Sequence, residues 1–365
     1  MKFNKKGLIA IIIVALIVLI SAGAFIVWKA QPKGVVVAVS TLPDSLNPVL
    51  EQNTSGLNAD ELLFDGLVNF EVDKESGSLY SNLALAESIV QNPADKKTYT
   101  VTLRDVSWHD GNPVTADDVV YSFAAYTDEA NDSPKRSYLM SFIKSVSAED
   151  DRTVKIEFIN PIPEFRAYPV LTFKIVPSKY NGQKMRVNMR AGENERKFAT
   201  EPIGTGPFKL ATWEIGKWVT FDANGTYFGN TPQMSNLVMT RIIDPIIRMN
   251  EMRKGRVNVI LETKPTDRAD VAKIPNVDIN SYIPYAFYEV AINTKLFPNA
   301  DGRQAMAMAL DREMLIPSIT DQKSGVILNY GPFPSNLFSA NIPEYVYNFF
   351  KQKTAYEIKM EDLDV

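Results

Sequence analysis

Pro202-Ile203-Gly204-Thr205-Gly206-Pro207-Phe208-Lys209-Leu210 is the stretch whose reading decides the fold. Its Gly-Thr-Gly core invites comparison with a phosphate-cradling loop. Such loops present successive backbone N–H groups, however, and Pro207 deletes one of them. The lysine spacing of a P-loop is missing too. Flexible glycines between fixed prolines make instead a chain reversal that launches a strand from Phe208 to Glu214. Two further strand-like runs follow, Trp218 to Ala223 and Leu237 to Ile243, separated by Gly216 and Asn224-Gly225, and the spacing predicts antiparallel neighbours.

Working outward, Gly34 to Val39 is a β-branched run with the pattern of a buried strand, followed by the turn-rich Leu42-Pro43-Asp44-Ser45-Leu46-Asn47-Pro48. Leu62, Leu63 and Leu67 fall at helical spacing, and short strands are predicted at Tyr99 to Leu103 and Val154 to Phe158. Thr115 reads as the N-cap of a helix from Ala116 to about Ala125, with Asp117 and Asp118 in the first turn where negative charge is favoured. Ile247 to Lys254 is a helical segment closed by Gly255, and Val257 to Leu261 another short strand. Helices and strands mix without strict alternation, so the class is mixed α/β. The absence of an internal repeat removes solenoids and propellers.

A chain of 365 residues is expected to divide into two or three domains. Its first segment is separate in kind: Lys2, Lys5 and Lys6 precede an uncharged apolar run from Gly7 to Trp28, after which Lys29 and Lys33 return. The run reaches the roughly 20 residues needed to span a bilayer, which favours a retained anchor. Ala22-Gly23-Ala24 keeps open the alternative of a cleaved signal sequence, with an apolar core from Leu8 to Ile20. In either case the lysine excess places residues after Lys29 outside the cell. Removing residues 1–33, with five lysines and no acid, leaves 43 acidic against 34 basic side chains, a net charge of about −9. That balance argues against a nucleic-acid partner. There is no cysteine, hence no disulfide framework and no thiolate metal site.

Catalytic devices are scarce. A Ser-His-Asp arrangement would have to use the single histidine, His109, and no Gly-x-Ser-x-Gly accompanies it. Lying in Trp108-His109-Asp110-Gly111, it reads as a surface residue at a strand end beside a tight turn. One imidazole without thiolates cannot build a zinc site, and no calcium-loop spacing is present, so no cofactor or metal is expected. Arg248, Arg253, Lys254 and Arg256 are read as cations complementing a helix C-terminus rather than as an anion-binding patch. Asn53-Thr54-Ser55, Asn131-Asp132-Ser133 and Asn224-Gly225-Thr226 match the glycosylation sequon, a three-residue pattern that chance supplies. Tyr282, Tyr285, Phe287 and Tyr288 crowd around Pro284, and tyrosine supplies both the apolar wall and the polar group that a ligand cleft needs. Lys351 to Ile358 reads codon by codon as a sequencing adapter, so residues 349–365 are expected to be a spurious tail.

Several ordered stretches together resemble the peptide-type bacterial extracellular solute-binding proteins of family 5. They are Ser45-Leu46-Asn47-Pro48, with Asn where the family has Asp; Phe64-Asp65-Gly66-Leu67; the block from Trp108 to Phe123; and Pro202 to Leu210 with Asn224, Tyr227-Phe228-Gly229-Asn230 and Pro232. Asn293-Thr294, Arg303-Gln304-Ala305 and Asp311-Arg312-Glu313 complete the set, Gly302 replacing the usual β-branched residue before Arg303. The resemblance implies a two-lobed, class II periplasmic-binding-protein-like fold with an extra inserted domain and an incomplete second lobe. Residues 34–52 and 178–283 would form the first lobe, 53–177 the inserted domain, and 284–348 the start of the second. It further implies a monomer that binds a peptide ligand between its lobes and delivers it to ABC permease subunits in the membrane, without catalysis. By the same resemblance the ligand backbone would pair with main chain at Thr41, Leu42 and Pro43, of which Pro43 has no N–H to offer. Thr41, Leu42, Tyr285, Phe287 and Tyr288 are therefore the candidate ligand-binding residues. The acidic residue that receives a peptide's amino terminus would lie beyond the present chain. The rival classes are an extracytoplasmic hydrolase, which would need paired carboxylates with separated pKa values, and a sensory or scaffold protein of the same fold.

Overall fold

The computed structural model of the protein describes residues 34–73, 79–261, 263, 267–280, 290–311 and 314–315. In chain order the elements begin with β1 (Val35–Val39), α1 (Thr54–Leu63), β2 (Val68–Val72), β3 (Leu79–Leu83), β4 (Ala86–Gln91) and β5 (Thr98–Leu103). Then come α2 (Ala116–Thr127), α3 (Arg136–Phe142), β6 (Ile143–Ala148), β7 (Thr153–Phe158), α4 (Glu164–Val170), β8 (Lys179–Tyr180), β9 (Gln183–Lys184) and α5 (Glu193–Phe198). Finally there are β10 (Phe208–Glu214), β11 (Trp218–Ala223), β12 (Asn236–Arg241), α6 (Pro245–Arg253), β13 (Val259–Ile260), α7 (Arg268–Val271) and α8 (Ala300–Ala309). The class is mixed α/β. Residues 1–33, and with them the expected anchor, lie outside the described residues, among which no helix is long and apolar enough to cross a membrane.

The strand after the opening signature does pair as expected: β10, β11 and β12 are antiparallel neighbours, with Leu210 opposite Phe221 and Phe221 opposite Leu237. β1 then joins parallel to both β12 and β13, so the sheet runs β10-β11-β12-β1-β13. A strand with a neighbour on each side and packing on both faces needs a continuous apolar run, which Val35-Val36-Val37-Ala38-Val39 provides. Val37, Val39, Val219, Phe221 and Met239 feed the core. Gly216 takes φ +78° in the turn between β10 and β11, a conformation open to glycine.

A second, wholly antiparallel sheet has the order β4-β5-β7-β6. Its period-two pattern is plain in β5, where Tyr99, Val101 and Leu103 are fully buried, with Tyr99 opposite Ile156 and Val101 opposite Val154. Helix α2 lies against β6 and β7. Its start is fixed by Asp118, whose Oδ2 accepts from the Thr115 N–H (2.8 Å) and hydroxyl (3.2 Å). Oδ1 of the same carboxylate accepts from the Ser178 N–H at 2.7 Å. Asp118 is thus a buried tie between segments, a larger role than favouring a helix dipole.

The chain falls into two compact units. Of the described residues, the first holds 34–68 and 83–261, hence both sheets, which share one apolar core. The second holds those from 69 to 82 together with those from 263 onward. In it Glu71 accepts from the Tyr80 hydroxyl (2.7 Å) and the Asn82 amide (2.8 Å) across the β2-β3 hairpin. Asn299 caps α8 through the Asp301 N–H at 2.9 Å.

Candidate functional site

Residues 202–207 close onto the end of α1. Gly206 N donates to Leu63 O (2.9 Å) and Asp65 N donates to Thr205 Oγ1 (3.2 Å). The Thr205 hydroxyl donates in turn to Asp65 Oδ2 at 2.9 Å, and the Tyr227 hydroxyl to Oδ1 at 3.0 Å. Asp65 and Thr205 are each 1% exposed, so this buried carboxylate is held by charge-assisted bonds. A Cβ on Gly204 would be driven into the Leu63 carbonyl, and one on Gly206 into the Leu62 carbonyl. Neither glycine has a positive φ. They serve close backbone approach, which corrects the expectation of flexible glycines.

His109 belongs to this junction, and the expectation of a surface histidine is corrected as well. Its N–H donates to Gly204 O (2.8 Å), and Gly204 N donates back to His109 Nδ1 (3.2 Å). With Nδ1 accepting, Nε2 carries the proton and donates to Gly206 O at 3.0 Å. Lys209 Nζ donates to the His109 carbonyl at 3.1 Å. Burial, aided by the Lys209 charge and opposed by the Gly206 carbonyl, pulls the imidazole down to about 4. A neutral ring with both nitrogens committed to backbone is a staple and leaves nothing to activate a nucleophile.

Thr41 and Leu42 lie just past β1. Thr41 is exposed, its hydroxyl 3.4 Å from that of Ser55. Leu42 has its side chain buried and its carbonyl taken by Asn53 Nδ2 at 3.1 Å. Asn53 Oδ1 caps α1 by accepting from Gly56 N at 3.0 Å. The structure therefore brings Thr41, Leu42, Asn53 and Ser55 together. Tyr282, Tyr285, Phe287 and Tyr288 lie outside the described residues.

Beneath this loop sit charges that neither periodicity nor motif reading had singled out. Glu51 Oε1 accepts from the N–H groups of Gln52 (2.9 Å) and Asn53 (2.8 Å), and Gly56 leaves room for the carboxyl group, since a Cβ there would collide with it. Asp60 lies one turn further along α1, and its neighbour Glu61 accepts from Lys174 Nζ at 2.7 Å. Lys135 Nζ stands 5.8 Å from the centre of the Tyr126 ring. Burial raises the Glu51 carboxyl and raises Asp60 well above its ordinary range, with the Glu51 charge adding to the latter. Burial, and then the Lys174 charge, lowers Lys135. A hydrolytic acid–base pair must also face a cleft that admits substrate, whereas these two carboxyls are buried beneath the loop.

The remaining sequence features are structural. All three sequon asparagines commit their amide nitrogens: Asn53 to Leu42 O, Asn131 to Ala125 O (2.7 Å) and Val187 O (2.8 Å), and Asn224 to Gly206 O (3.1 Å). Of the basic cluster, Arg248 is buried, Arg253 donates to Asn250, and Lys254 and Arg256 pair with Glu251, whose carboxyl Arg256 holds low. Glu251 and Arg256 border a groove of about 350 Å³ beside β1, β11 and β12.

The model of the bacterial extracellular solute-binding proteins, family 5 (middle), matches residues 82–358, and the chain belongs to this family. It is 30% identical over 305 residues to Protein XP55 of Streptomyces lividans, covering 83% of this chain and 52% of that protein. Against the oligopeptide-binding protein AppA of Bacillus subtilis it is 25% identical over 319 residues, covering 85% of this chain and 56% of the relative. Among solved structures, the ABC transporter substrate-binding protein CtaP of Listeria monocytogenes superposes with a TM-score of 0.63 at 28% identity, over 78% of this chain and 56% of that one. The fold is therefore that of the two-lobed family 5 periplasmic binding proteins, and the chain spans little more than half the length of these relatives.

Proposed function

We propose that the protein is the extracytoplasmic substrate-binding component of an ABC importer, capturing peptides and passing them to permease subunits in the membrane. The family match over residues 82–358 carries this reading. The oligopeptide-binding relative AppA favours peptide as the ligand, and the description of CtaP favours the transporter role. The protein would act as a monomer outside the cell, attached through the apolar run from Gly7 to Trp28. Within it, residues 34–52 and 178–283 form the first lobe, β1 joining the sheet of β10 to β13, and residues 53–177 form the inserted domain, whose sheet of β4 to β7 shares one apolar core with the first. Thr41, Leu42, Tyr285, Phe287 and Tyr288 are its candidate ligand contacts, and the role requires no catalytic residue. Ligand that binds only the folded state stabilises it by about 2.7 kcal/mol at a hundred times its Kd. The full-length parent protein is accordingly expected to melt higher with a mixed peptide library, and an unchanged melting temperature at saturating peptide would sink the proposal.

A further inference from the structure

Glu51 and Asp60 are 5% and 3% exposed, and Glu51 Oε2 and Asp60 Oδ1 have no hydrogen-bond partner among the described residues. The Glu51 carboxyl rests against Gly56, and Asp60 follows Gly56 by four residues on the same helix face. Two ionised carboxylates side by side, buried and short of donors, repel each other and have lost their hydration.

The Lys135 and Lys174 charges offset this only in part, burial and the neighbouring Glu51 outweighing them. On α1 itself Glu61 is negative, but it is exposed and engaged by Lys174. Lys174 therefore already has a carboxylate. From the segment before α3, Lys135 faces the Tyr126 ring, and its own hold on a proton is weakened by burial. From α2, Tyr126 adds a buried phenol, which burial keeps protonated, and on the loop side Asp44 adds a further negative charge to Glu51.

We propose that Glu51 and Asp60 form a proton-binding site beneath the β1-α1 loop, with Asp60 carried as the neutral acid at physiological pH. Asp60 is the member that holds the proton because Glu51 alone is stabilised as an anion by backbone N–H groups, those of Gln52 and Asn53. Protonation removes the repulsion and supplies the missing donor. Asp60 is also the more strongly raised of the two. The site bears on the neighbouring segment: Glu51 holds the N–H of Asn53, Asn53 holds the Leu42 carbonyl and caps α1, and Ser55 stands beside Thr41. Ionising both carboxyls would push apart the two ends of that connection.

The test needs no ligand. Carbon-13 NMR of the side-chain carboxyls in the unaltered protein is expected to show one aspartate that stays protonated at about pH 7, far above its ordinary value of 3.8. Asp60→Asn should abolish that resonance and the matching infrared band of a protonated acid. The variant and the parent should melt closest together near pH 3, where Asp60 is largely protonated in the folded and the unfolded chain alike. Near pH 8 the variant should melt about 10 °C or more higher. If every aspartate in the unaltered protein titrates below about pH 5, or if the protonated acid survives Asp60→Asn and disappears in Glu51→Gln, the assignment is overturned.

Discussion

His109 shows how much a single side chain can fix when its neighbours are backbone. Both ring nitrogens bond the main chain of the 202–207 reversal, and its own N–H and carbonyl are used as well, the latter by Lys209. The folded protein keeps the ring neutral down to about pH 4, whereas the unfolded chain takes up the proton near 6.5. The stability this histidine contributes is therefore complete above 6.5 and is lost as pH falls towards 4, because protonation places a second N–H against the Gly204 amide. His109→Gln should cost about 1–3 kcal/mol at neutral pH. The difference in urea midpoint between the two proteins should shrink steadily on acidification to about pH 5. A gap that stays constant between these pH values would show that the ring is not the titrating group.

At the scale of elements, the close crossing of residues 202–207 over the end of α1 is the junction that depends most on residue size. Gly204→Ala or Gly206→Ala must push a methyl group into a backbone carbonyl that cannot swing away, so each is expected to cost at least about 1–3 kcal/mol. Gly225→Ala meets nothing within 4 Å and should stay within about 0.5 kcal/mol of the parent. Equal chemical-denaturation midpoints for the Gly204 and Gly225 variants would refute the close-approach account. Part of the elements was legible in the sequence because their signals are local, whereas β4, β6 and α3 to α5 were not singled out. The valine run marks β1, Gly216 and Asn224-Gly225 punctuate β10 to β12, and Thr115 with Asp118 marks the start of α2. What joins the elements was not legible. Thr205 meets Asp65 across 140 positions, Gly204 meets His109 across 95 and Ser178 meets Asp118 across 60, distances over which periodicity carries no information. The candidate site was partly readable for the same reason: Thr41 and Leu42 came from motif resemblance, while Glu51 and Asp60 follow no motif and stand out only once burial is known.

For the molecule as a whole, the sharing of one core by two sheets decides how the first unit opens. Val37, Phe221 and Met239 from the five-stranded sheet belong to the same apolar cluster as Tyr99, Val101 and Ile156 from the four-stranded one, with Leu63, Phe64 and Leu67 also in that cluster. The hydrogen bonds from Gly206 to Leu63 and between Thr205 and Asp65 reinforce the junction. If the sheets were separate folding domains, damage to one would leave the opening of the other unchanged. A shared core makes them one cooperative unit, so amides in both sheets should exchange through the same global opening. Phe221→Ala removes a fully buried ring from β11, and Ile156→Ala a fully buried side chain from β7; such changes cost about 3–5 and 2–5 kcal/mol. Each should therefore accelerate hydrogen exchange by about thirtyfold or more in the slowest amides of its own sheet and by a similar factor in the other. Exchange that quickens only in β10 to β12 for Phe221→Ala, and only in β4 to β7 for Ile156→Ala, would mean that the sheets fold independently and that the common core is a contact between finished domains.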